Sequence, residues 1–226
     1  MNDYSQPAPE LFAGIHRQAT AALAGPGDWL TGAQRLDAWR EYRDSRTNLL
    51  DRARLEALSP AAVDGAHGPT EHLPAAAVEV VHRVASDPGR LTRAWADASI
   101  AELGEETYTE LVGVTAIASV LDHFDEAIHG SVPDLPEPVL GDPARVRPDD
   151  VGIVGAWVAQ TIDKTRANVS RTLSLVPETN STWRILVDSH YSRGAEFFSV
   201  DWTRALSRPQ VELVAARITA LNECFY

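Results

Sequence analysis

Residues 108–128 contain a stretch, 111–121, that is apolar on most of its helical faces. A helix of that kind is stable only where neighbours cover it on every side, so the chain has to build a helical core around it. Leu103-Gly104-Glu105-Glu106 reads as the turn that feeds it. The covering helices are legible on both sides. A short helix fits residues 9–24, inside an Ala/Pro/Gly-rich lead-in. Thr31 offers a capping hydroxyl, and Gln34 three residues on completes a capping box. A charged helical pattern then runs over 36–58 until Ser59-Pro60 stops it. Further helical patterns cover 75–85, a segment starting near Asp87-Pro88, and 151–169, which Leu175-Val176-Pro177-Glu178 breaks. The next runs over 183–198, and 204–226 is the last. In that last segment Ser207 is an N-cap, Pro209 sits in the first turn and Gln210 completes a second capping box. Val211, Val214, Ile218, Leu221 and Phe225 then recur at helical spacing. Ala and Leu are abundant and β-branched runs are short, which favours an all-α fold.

Residues 131–149, SVPDLPEPVLGDPARVRPD, carry five prolines and read as a linker. They divide a first unit, 1–130, from a second, 150–226. With 32 acidic and 20 basic residues the net charge is −12, and no basic stripe offsets it, so a nucleic-acid partner is not expected. No signal-peptide pattern opens the chain and no run of about 18 apolar residues occurs, so no membrane partner is expected either. A single cysteine, Cys224, rules out an internal disulfide and suits a reducing cytoplasm.

The two capping boxes lie 176 residues apart (210 − 34). At that offset Leu30 falls on Leu206, Thr31 on Ser207, Gln34 on Gln210, Leu36 on Glu212 and Asn48 on Cys224. The offset predicts two copies of one helical module, with reactive side chains kept only in the second.

Residues 204–226, RALSRPQVELVAARITALNECFY, resemble the redox helix of the alkylhydroperoxidase (AhpD) and carboxymuconolactone decarboxylase family. In that family a Glu precedes the first Cys of a C-x-x-C pair by twelve residues, and a His follows the second Cys by four. Glu212 and Cys224 have that spacing, and Arg217 and Asn222 stand at positions the family commonly fills alike. A looser similarity covers 103–130, and 31–60 resembles a first module whose two cysteine positions are here Asn48 and Asp51. The resemblance implies an AhpD-like helical fold of two related modules, the second incomplete at its C-terminus. It also implies a peroxide-reducing antioxidant enzyme without a cofactor, served by an external thiol reductant and assembled as a homo-oligomer. Cys224 would be the resolving thiol and Glu212 a proton-transfer group. The attacking residue would fall at position 227, just past Tyr226, where a UGA codon would insert selenocysteine; the chain ending at Tyr226 would then be inactive. Two other readings are a non-catalytic helical scaffold or binding protein, and a cofactor-free decarboxylase of the same fold.

Other clusters weigh less. His123 and Glu126 have the i, i+3 spacing of carboxylate-bridged di-iron bundles, but no second copy of the motif accompanies them. Asp122-His123-Phe124-Asp125-Glu126 with His129 therefore reads as a solvated acidic helix end, and no metal site is expected. His190, with Tyr191 and Glu196-Phe197-Phe198, fits a pocket wall and a packed helix equally well. Trp29, Trp39, Trp95, Trp157, Trp183 and Trp202 read as core anchors. No Gly-rich phosphate loop, zinc-type Cys/His spacing or nucleophilic Ser elbow occurs.

Overall fold

A computed structural model describes residues 8–165, 168–190 and 205–221, and these are mostly helical, as an all-α fold requires. In chain order the helices are α1 (Ala8–Ala24), α2 (Gly32–Ser45), α3 (Leu49–Glu56), α4 (Ala75–Ser86), α5 (Arg93–Leu103), α6 (Glu105–His129), α7 (Asn168–Arg171), α8 (Pro177–His190) and α9 (Arg208–Leu221). Short 3-10 turns occupy Pro60–Ala62 and Pro88–Arg90. Two strands of two residues each, β1 (Val151–Gly152) and β2 (Gln160–Thr161), pair antiparallel. No helix among the described residues is long and apolar enough to cross a membrane.

The apolar helix α6 is central. Leu111, Val114, Ile117, Ala118 and Leu121 are buried on it, against Leu36, Ala38 and Trp39 of α2 and Val78, Val80 and Val81 of α4. Each such side chain removed from water contributes about 1.5–3 kcal/mol. Ala19 and Leu23 of α1 and Leu186 of α8 belong to the same cluster, so one core holds residues from both sides of the Pro-rich segment. Gly104 (φ 85) lets α5 end and α6 begin without an intervening loop.

Both boxes form. The Thr31 hydroxyl accepts from the Gln34 N–H while Gln34 Oε1 accepts from the Thr31 N–H. Gln210 Oε1 likewise accepts from the Ser207 N–H at 2.8 Å.

Several expectations change. The pattern over 36–58 is two helices, because Asn48 leaves helical geometry (φ −63, ψ 132) and its side chain accepts from the Leu50 N–H, starting α3 afresh. After α4 the chain makes only the 3-10 turn at Pro88, and α5 begins beyond Thr92, whose hydroxyl accepts from the Trp95 N–H. No helix covers residues 151–165. Val151, Ile153, Val154 and Val158 favour extended backbone, and Gly155 (φ 116) supplies a bend between the strands. Helix α8 begins at Pro177, six residues before the expected start, because a carboxylate distant in sequence caps it (below). The end expected for that helix, and Trp202, lie outside the described residues. Trp157 is 40% exposed and lies outside the core cluster.

Residues 131–149 hold no helix or strand, yet they are tied down along the α1–α2 turn. The Val139 N–H donates to Ala24 O (2.8 Å), Ala144 N–H to Gly27 O (3.2 Å) and Arg145 N–H to Asp28 O (2.7 Å). Arg43 donates to Pro133 O at 2.9 Å.

Candidate functional site

The sequence directs attention first to α9. None of its described residues is buried. Glu212 lies in its second turn with a side chain 57% exposed, 3.6 Å from the guanidinium of Arg208 one turn earlier. Arg217 is exposed on the same helix. Cys224 and Asn222 lie outside the described residues. Twelve residues of helix span about 18 Å, so Glu212 and Cys224 need a turn of the chain or a second helix to meet. At the 176-residue offset, α9 and α2 start together, at Arg208 and Gly32. The chain leaves α2 at residues 46–48; Asn48, which the offset pairs with Cys224, caps α3, and Asp51 sits in its first turn.

Asp51 opens onto a different arrangement, which the sequence did not single out. It is 2% exposed and meets two rings: His82 Nδ1, from α4, is 2.5 Å from its Oδ2, and His67 Nε2, from the loop before α4, is 3.5 Å away. The rings stack at 3.8 Å between centroids. Each ring's other nitrogen is on a carboxylate: His67 Nδ1 lies 2.7 Å from Glu79 Oε2, and His82 Nε2 lies 2.9 Å from Glu41 Oε2. Arg54 donates to Glu79 (2.6 Å) and to Gly65 O (2.9 Å), fastening the loop. Burial works against a charged His67 ring, but its contacts with Asp51 and Glu79 outweigh that and push it up to about 9. Burial likewise opposes the Asp51 carboxylate, and the two rings nevertheless hold it well below the usual carboxylate range. Two buried atoms, His67 Nε2 and Asp51 Oδ1, have no hydrogen-bond partner.

A second buried polar group is structural. Glu110, fully buried on α6, accepts from the N–H groups of Trp29 (2.5 Å) and Leu30 (3.0 Å) and lies 3.4 Å from Arg35. Burial pushes it up to about 7 against the pull of Arg35. Asp28 accepts from the N–H groups of Glu178 and Thr179 and from the Thr179 hydroxyl, capping α8.

The acidic end of α6 departs from its expected reading. Asp122 is fully buried, held by Arg43 at 2.8 Å and by Trp39 Nε1 at 3.1 Å, and Glu126 pairs with Arg46. Trp39 and Arg43 lie four apart on α2 and meet Asp122 together; that pairing is long-range and has no local signal. His190 packs as a ring among rings: 4.4 Å from Phe12, 5.0 Å from His16 and 5.8 Å from Phe124. Residues 196–198 lie outside the described set.

Sequence reasoning could not find the Asp51 group, because its members sit 15 to 31 residues apart (82 − 67 and 82 − 51) on two helices and a loop. The one available signal was His82, a histidine on the apolar face of α4 between Val81 and Arg83. No family model, curated protein or solved structure matches this chain.

Proposed function

We propose that the chain belongs to a peroxide-reducing enzyme of the alkylhydroperoxidase type, in which Cys224 is the resolving thiol and Glu212 moves a proton. The observation that carries the reading is the first copy of the module. There the counterpart of Cys224 is the N-cap of a helix, and the counterpart of position 227 lies in that helix's first turn. Free N–H groups and the helix dipole at such a place favour an anion and lower the pKa of a thiol or selenol. An attacking thiolate or selenolate at 227 would break the peroxide O–O bond, keep one oxygen as a sulfenic or selenenic acid and release the alcohol with a proton. The Cys224 thiol then condenses with that acid, losing water, and an external dithiol reduces the bridge by exchange.

The partners of this reading are a small peroxide, an external thiol reductant and further copies of the chain, in a reducing cytoplasm. Assembly is supported by the apolar side chains that α9 leaves in water: Leu213 (70% exposed), Val214 (51%), Ile218 (53%) and Leu221 (63%). The division into modules at 131–149 belongs to the same reading.

The test is peroxide consumption, coupled to a dithiol, by the product of the whole reading frame. Cys224→Ser is expected to abolish turnover, and Glu212→Gln to slow it by about 10²- to 10⁴-fold, the range for general acid–base groups. Unchanged turnover in Cys224→Ser overturns the proposal and leaves a helical scaffold in its place.

A further inference from the structure

We propose that Asp51, His67 and His82 form a binding site for one divalent first-row transition-metal ion, with zinc as the reference case. This site is separate from the peroxide chemistry above and stands whether or not that reading survives.

The geometry points there in three ways. The ligand atoms of the three residues lie within 4.8 Å of one another, and all three residues are buried. Two imidazole nitrogens and one carboxylate oxygen are a donor set that borderline divalent metals take readily, at about 2.0–2.2 Å from each atom. Adjacent donors around a tetrahedral ion at that radius stand roughly 3.4 Å apart. The His67–Asp51 separation is 3.5 Å and already fits; the His82–Asp51 pair, at 2.5 Å, has to open by about the radius of a small atom.

Two atoms of the group, His67 Nε2 and Asp51 Oδ1, are buried without hydrogen-bond partners. A buried polar atom without a partner is destabilising, and one on each of two residues of the group leaves room for an occupant. The remaining nitrogens complete the pattern. His67 Nδ1 is held by Glu79 and His82 Nε2 by Glu41, so each ring presents its inner nitrogen toward Asp51 while a carboxylate fixes its orientation from outside. That carboxylate–histidine arrangement is how proteins set the tautomer and basicity of metal-bound imidazoles. Arg54 in turn fixes Glu79.

The site's place in the fold gives it a consequence. Asp51 is on α3, His82 on α4, and His67 is on the loop between the two helices. A bound ion would lock that loop to both helices. With three protein ligands a tetrahedral ion keeps its fourth position for a water, and the burial of all three residues limits what else could reach it. Glu41, Asp44 and His82 Nε2 also gather within 4.8 Å of one another, but Asp44 is exposed and already accepts from the Asn48 amide at 3.0 Å, and no orphaned atom lies there.

The test is a titration of the chelator-stripped chain with Zn²⁺ against a chromophoric competitor, followed by thermal melts with and without the ion. One equivalent is expected to bind and to raise the melting temperature. Asp51→Asn and His67→Gln should each weaken binding by at least about 100-fold, and Glu79→Gln by about 10- to 100-fold, the range for outer partners of ligating histidines. Asp44→Asn should leave it unchanged. If a variant fails to fold, the X-ray absorption spectrum of the zinc-loaded wild-type chain decides, with two imidazoles and no sulfur expected. The proposal is overturned by a folded chain that takes up no stoichiometric zinc. In that outcome the centre is a proton- or water-bridged network. It is overturned equally by binding that persists in the Asp51→Asn/His67→Gln double variant, by binding lost in Asp44→Asn, or by a sulfur ligand.

Discussion

Replacing Asp28 by Ala would strip the cap from a helix that begins 149 residues later (177 − 28), and the loss can be worked from the contacts. The Asp28 carboxylate, 2% exposed, accepts from the Glu178 N–H at 3.0 Å, the Thr179 N–H at 2.9 Å and the Thr179 hydroxyl at 2.9 Å. Pro177 has no N–H, so these are the first two backbone donors of α8, and Thr179 is itself fully buried. Losing a helix cap costs about 1 kcal/mol, and leaving a buried donor unpaired adds about 1–3 kcal/mol. The expected destabilisation of Asp28→Ala is therefore about 3 kcal/mol. Asp28→Asn keeps one acceptor oxygen and should lose about half of that. Urea unfolding followed by circular dichroism gives both values, and Thr179→Val in a double-mutant cycle isolates the shared part. A loss below about 1 kcal/mol for Asp28→Ala would refute the long-range cap, and additivity of the two substitutions would remove the Thr179 hydroxyl from it.

Gly113→Ala tests the contact between α6 and α8. Alanine has the better helix propensity, but its Cβ would stand 2.7 Å from the Thr179 methyl and 3.3 Å from Leu173 Cδ1, so a loss of about 1–3 kcal/mol in unfolding free energy is expected rather than a gain. For His16, burial and then the neighbouring His190 ring lower the pKa from 6.5 to about 4. The folded state then binds fewer protons than the unfolded one between these values. The contribution is therefore fully present above about pH 6.5 and is lost as pH falls toward 4, by about 2 kcal/mol once partial solvent screening is allowed for. His16→Phe, which keeps the stacking on Phe12 and Phe124, should flatten the urea midpoint across that window. An unchanged slope would show that another group carries it.

What the sequence determined is local. The period and greasiness of α6 required a central helix, and Thr31/Gln34 and Ser207/Gln210 marked helix starts through bonds made within four residues. The break at Asn48 was equally local, but the helical pattern on either side of it concealed the restart. The strands at 151–161 were missed because two short β-branched stretches can follow either period, and Gly155 decides between them only once the chain has turned. The role of Asp28 as a cap, the burial of Asp122 under Arg43 and Trp39, and the gathering of Asp51, His67 and His82 are decided by tertiary structure alone. Each places a charged or polar side chain where water is excluded, and such a side chain is stable only beside the partner that packing brings to it. A sequence names the group but not that partner, because the partner's distance along the chain has no bearing on its distance in the core.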